Sequence, residues 1–212
     1  MFRWTVCLHV REAIQGHDLN GLVSRGDALS QHIQSAMREL ATGSDRAVAI
    51  VGGSIVEMSL TDALKIHLHE SEKITNELFR STGAFGMLAT KVHLGLLVGL
   101  YGEAAHSDLI VIKDIRNAFA HSLEVTDFET PRIKDLANNL RLCERYAIDQ
   151  QAVETEAGKN EGSLPKEWRW WCSVPNLEKN LQVPRERYVI AAQVLTYGLM
   201  IPGGPNMPCP QF

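Results

Sequence analysis

Arg116, Asn117 and His121 place a permanent cation, a polar amide and an imidazole within the hexapeptide Arg-Asn-Ala-Phe-Ala-His, at the end of an apolar segment. These residue types suit chemistry on an anion. A guanidinium grips and neutralises negative charge, an imidazole gives or takes a proton, and an amide orients what lies between them. On a helix, Leu109, Val111, Ile112, Ile115 and Phe119 fall on one arc with Arg116 inside it, while Asp114, Asn117 and His121 form a polar stripe. A guanidinium rising from an apolar arc must reach water, a carboxylate, a second subunit or a phosphate. Five helical residues turn through about 140°, so Arg116 and His121 share a face only if the helix ends near His121 or the arginine bends round. A two-fold partner would also unite them. The residues alone leave a second reading open, in which Arg116 is anchored to a carboxylate such as Glu57 and His121 meets the helix C-terminal dipole.

The elements that must position these groups are helical. No run alternates apolar and polar residues for long enough to require a sheet, so the fold class is all-α. A first helix is predicted from about 21 to 40, stopped by Gly43. Ser44 or Asp45 caps the next, over about 45 to 61, with Val48, Val51, Ile55 and Met58 on one face and Arg46, Ser54, Glu57 and Thr61 on another. Its Gly52-Gly53 pair lowers propensity by about 1 kcal/mol per glycine and is expected to permit close helix packing. A short amphipathic piece over 71–79 leads to a glycine-rich apolar helix over 83–101, expected to be the central core helix. Ser107-Asp108 is expected to cap the Arg116 helix, and Pro131 to open a helix running to Tyr146. The order of parts is then an N-terminal segment and first helix (1–43), a helical core (44–149), a linker with a tryptophan cluster (150–183), a helix packing on the core (184–201) and a disordered tail (202–212).

Other chemistry-bearing residues are fewer. Lys91 is the one formally charged residue between Gly83 and Gly102, and is therefore paired or at the mouth of a cleft, unless it stands at a solvated edge. His93 reads as a satisfied core or boundary histidine and not as a ligand. His67 and His69 face different ways on a helix, so with Glu70 they make no metal site, and no metal or cofactor is expected. The glycines before Lys91 do not fit a nucleotide P-loop. Trp168 and Trp170, within Trp-Arg-Trp-Trp, suit stacking on bases or gripping a protein, or else a satellite core over the bundle.

With a net charge of -4 and a pI near 6.1, the 212-residue chain is no polycation built to coat nucleic acid. Its four cysteines include no Cys-x-x-Cys pair, which suggests reduced thiols and a cytoplasmic setting. The N-terminus lacks a signal-peptide pattern. The stretch 83–102 is interrupted by Thr90, Lys91 and His93, and so reads as a buried helix and not a membrane span.

The block from Gly83 to Leu100, followed by Asp108-Leu109 and by Ile112 to Ser122, resembles the mannitol operon repressor family. The helix opened by Asp45-Arg46-Ala47 fits as well, so the resemblance covers about Asp45 to Tyr146, with the Pro184 helix a looser match. The first twenty residues and the 150–183 region depart from that pattern. The Arg-Asn-x-x-x-His ending is similar to that of the wider HEPN group of helical domains. What the resemblance implies is a compact HEPN-like bundle, dimeric, in a transcriptional regulator. With an acidic chain and no helix-turn-helix, regulation is expected to run through protein contacts and not through direct operator binding. Binding would fall to Lys91, Arg116, Glu57, Trp168 and Trp170. In HEPN ribonucleases the same motif implies metal-independent attack of an RNA 2′-hydroxyl on the adjacent phosphate. His121 would then be acid or base, Arg116 the charge stabiliser and Asn117 the orienting group, with RNA as partner. An adaptor without enzymatic activity is the third reading.

Overall fold

Three helices from distant parts of the chain form the core, and the last of them is its centre. The computed structural model describes residues 39–68, 71–125, 127–151 and 172–200. In chain order the elements are α1 (Asp45–His67), α2 (Glu72–Phe79), α3 (Leu88–Leu97), α4 (Glu103–His121), α5 (Pro131–Asn138), α6 (Leu142–Tyr146), β1 (Ala147–Asp149), β2 (Cys172–Val174), α7 (Leu177–Leu181) and α8 (Pro184–Met200). The fold is an all-α bundle, with one short parallel strand pair among the described residues that registers Ala147 with Cys172 and Asp149 with Val174.

Helix α1 forms where the sequence places its signals. Gly43 closes the preceding turn through its N–H to the Glu39 carbonyl, and the Ser44 hydroxyl accepts from the Ala47 N–H at 3.3 Å. The helix runs to His67, two turns beyond the expected end at 61, because Ala63 and Leu64 continue its buried face. Lys65 and His67 then sit at its negative dipole end. It is long and apolar enough to cross a membrane, but half of that window is buried within the bundle. The glycine pair does permit close packing: a Cβ on Gly52 would lie 2.9 Å from the Tyr188 ring, and one on Gly53 only 2.8 Å from the Arg116 stem.

Helix α8 is buried continuously from Arg187 to Thr196 and takes the central position expected of the glycine-rich segment. Tyr188, fully buried, donates its hydroxyl to the Ala49 carbonyl at 2.7 Å and stacks on Phe128, which stacks in turn on Phe119. Burial pushes the Tyr188 phenol well above its usual range. The glycine-rich segment is instead turn, short helix and turn. Gly99, at φ +72°, ends α3 by entering the left-handed region, which Leu97 or Val98 would adopt only with strain. Leu97 is left 83% exposed, so α3 flanks the core and does not cross it.

Asp108 does not cap its own helix, which begins five residues earlier after Gly102. Its buried carboxylate reaches across the bundle and accepts the N–H groups of Arg141 and Leu142, closing the N-terminus of α6. Burial raises its pKa, and those N–H bonds together with the Arg187 charge pull it back. The helix expected over 131–146 is therefore two, broken at Asn139–Arg141 where Asp108 and Arg187 hold the backbone; Arg187 donates to the Leu140 carbonyl at 2.6 Å and to Glu144. Part of the expected linker is ordered structure as well, since residues 172–183 carry β2 and α7. The Trp168 and Trp170 cluster, the His69 and Glu70 positions, most of the first helix and the 202–212 tail lie outside the described residues.

Candidate functional site

Glu57 is the hub on which the site is built. It projects from α1 between α3 and α4, where its Oε1 accepts from Lys91 Nζ at 2.9 Å and its Oε2 lies 3.3 Å from Arg116 Nη2. Lys91 is 6% exposed and wholly dependent on this pairing. Of the placements open to it in the sequence, it is paired, and it stands neither at a solvated edge nor in the lining of the cleft beside Glu57. Arg116 emerges from the α4 apolar arc because Gly53 leaves room for its stem to lie flat on α1. That path bends the guanidinium toward Glu57 and leaves the side chain 29% exposed.

The same bend resolves the angular problem of the hexapeptide. A cleft of about 320 Å³ opens beside Glu57, lined on the α4 side by Lys113, Arg116, Asn117 and His121. Its opposite wall is the turn into α3, residues Gly86 to Ala89, with Met87 68% exposed. Arg116 and His121 therefore reach one cleft within a single subunit, because His121 is the last residue of α4 and the arginine curves round.

His121 does not act as the helix cap, because Arg46 does. Its guanidinium donates to the carbonyls of Phe119, Ser122 (3.1 Å) and Val125 (2.9 Å), satisfying the α4 C-terminus and fixing the chain that leaves it. Asp45, beside it, accepts the Phe128 N–H at 2.9 Å and pairs with Arg185 at 3.0 Å, tying the same loop to α8. His121 is left exposed, and among the described residues neither its side chain nor that of Asn117 has a hydrogen-bonding partner. The imidazole and amide are thus free to meet a ligand.

The cleft carries the charges of Lys113 and Arg116 against that of Glu57, and Lys113 pairs at 2.9 Å with Asp114. An anionic group entering it meets a guanidinium already oriented by Glu57, an unpartnered amide and an imidazole. His121 is the one imidazole in the lining, beside the Glu57 carboxylate already held by two cations, whereas phosphodiester transfer by general catalysis needs both a base and an acid. Lys113 and Met87 were not singled out in the sequence, and Arg46, placed there on the Glu57 face, was not expected to close α4. Lys113 had a signal, lying three residues before Arg116 on the same helical face, and Arg46 had one as a first-turn cation with no local carboxylate partner beyond its neighbour. No family model, no curated protein and no solved structure matches the chain.

Proposed function

We propose that this chain is a regulatory protein resembling the mannitol operon repressor family, which controls transcription through protein contacts and uses the Arg116–His121 cleft to hold an anionic group. One observation carries the reading. The two halves of the resembling block, Gly83 to Leu100 and Ile112 to Ser122, supply the two walls of a single cleft, with the Glu57 hub between them. Arg116 shares the single Glu57 carboxylate with Lys91, so its guanidinium is held in place while the hub keeps a net positive charge, which suits recognition of an anion. The acidic chain and the absence of a basic recognition helix among the described residues support action through partners. A homodimer in the cytoplasm is the form in which we expect it to act.

The HEPN-type endoribonuclease is the second reading, favoured by the unpartnered Asn117 and His121 facing the same cleft as Arg116. It requires a second acid or base, which a two-fold partner's His121 would supply. The test is complementation of a host strain lacking the gene with the wild-type chain, Arg116→Ala or His121→Ala. The regulator reading expects a limited set of transcripts to shift and to be restored by the wild type but not by Arg116→Ala. Unchanged transcripts on deletion would refute it.

A further inference from the structure

The α4 wall of the cleft offers a guanidinium, an amide and an imidazole whose last two side chains have no partner among the described residues. The facing wall adds donors from the backbone. It is the start of α3, where Met87 holds the N-cap position with extended backbone at φ -86° and ψ 138°, and no side chain caps the helix. Methionine has no oxygen with which to do so. The N–H groups of Leu88, Ala89 and Thr90 consequently have no acceptor among the described residues. Helices α3 and α4 run antiparallel, since Leu88 and Ala89 share the cleft with Lys113 and Asn117 while His93 meets His106 further along the pair. The positive end of the α3 dipole thus faces Arg116 across the cleft. The negative end of α4 is masked, because Arg46 takes the carbonyls of Phe119 and Ser122.

The number and spread of these donors select the anion. A carboxylate has two oxygens in one plane, which the edge of a single guanidinium satisfies. Here donors come from two opposed walls and are not coplanar. A phosphate monoester presents three terminal oxygens in a tetrahedral spread and carries a charge of about -1.5 to -2 near neutral pH. An internal phosphodiester keeps two such oxygens and a single charge. The buried Lys91 balances Glu57, so Arg116 brings a positive charge that nothing else in the hub cancels. At about 320 Å³ the cleft lies at the lower end of small-molecule sites, which run to about 1,000 Å³. We infer that it takes a small-molecule phosphate monoester, whose phosphoryl group sits between the α3 N-terminus and the side chains of Arg116, Asn117 and His121. The exposed Met87 then flanks the organic part of the ligand. This inference rests on the reading of the cleft as an anion site and narrows it.

The test is titration of the purified full chain, at fixed ionic strength, with inorganic phosphate, glycerol phosphate, acetate, dimethyl phosphate and a phosphoserine peptide. Nuclear magnetic resonance follows the backbone amides. Phosphate and glycerol phosphate are expected to shift the Leu88, Ala89 and Thr90 signals, with acetate and dimethyl phosphate weaker by about tenfold or more. Met87→Asp supplies the missing cap as a carboxylate in the place assigned to the phosphoryl group. It is expected to raise the Tm by a few degrees while weakening phosphate about tenfold, a combination that damage to the fold does not produce. Acetate binding as tightly as phosphate would overturn the phosphate assignment and leave the anion site standing. A phosphopeptide binding about tenfold tighter than glycerol phosphate would overturn the small-molecule assignment alone. Phosphate binding that spares the three amides, or that Met87→Asp leaves intact, would remove α3 from the site. Failure of every anion to bind would sink both this inference and the anion reading beneath it.

Discussion

At the scale of single residues, charge pairing sets both stability and chemistry. Glu57 answers two cations, one almost fully buried, so the two ends of the network are unequal. Glu57→Ala strands Lys91 in an apolar setting, and we expect a loss of about 2–3 kcal/mol in urea unfolding. That lies below the value for a fully buried pair, because Glu57 and Arg116 are partly exposed. Lys91→Met, which leaves Glu57 still bonded to Arg116, is expected to change stability by no more than about 1 kcal/mol. Equal losses from the two substitutions would mean that the hub is not organised this way. Cys143 reports on the interior differently. Burial pushes its thiol from 9.0 up to about 11, so the folded chain retains a proton that the unfolded chain releases. Stability is therefore lost as pH climbs from about 9 to about 11, and the stability difference between the wild type and Cys143→Ala should shrink across that window. A difference that stays flat would contradict the burial of this thiol.

At the scale of elements, what matters is how closely α1 and α4 approach. Gly53 admits the Arg116 stem, and an added methyl group would press on its Cβ and Cγ, which have little freedom to move. Overpacking costs about 1–3 kcal/mol and outweighs the gain of about 1 kcal/mol in helix propensity, so Gly53→Ala should lower the Tm by a few degrees. A rise in Tm would show that α4 does not lie against Gly53. Much of this was legible in the residues. The cap at Ser44, the apolar arc of α4 and the anchoring of Arg116 by Glu57 follow from local pattern and from the need to pair a cation that leaves an oily face. The length of α3 did not follow, since the apolar periodicity over 83–101 conceals that Gly99 adopts a positive φ and that Gly83 and Gly86 lie in turns. Nor did the role of Asp108, which resembles a local cap in sequence and closes α6 thirty-three residues away.

At the scale of the whole molecule, periodicity indicates which face of a helix is buried but not which helix lies in the middle. Helix α8 is central because α1, α4 and the α5–α6 region all pack on it, whereas its sequence indicates only a helix that packs on the core. The opposite cleft wall was hidden for the same reason: Gly86 to Ala89 meet Lys113 and His121 only through the antiparallel return of the chain, a non-local fact. Once folded, the bundle gathers one arginine, one amide and one imidazole into a cleft whose arginine is already tied to a carboxylate, and on this rests the proposal of a binding site in a regulator. The most direct test is sequencing of RNA ends and abundance in the deletion strain carrying the wild-type or His121→Ala chain. The regulator account predicts altered abundance with no new internal ends. New 2′,3′-cyclic phosphate ends that appear with the wild type and vanish with His121→Ala would contradict it.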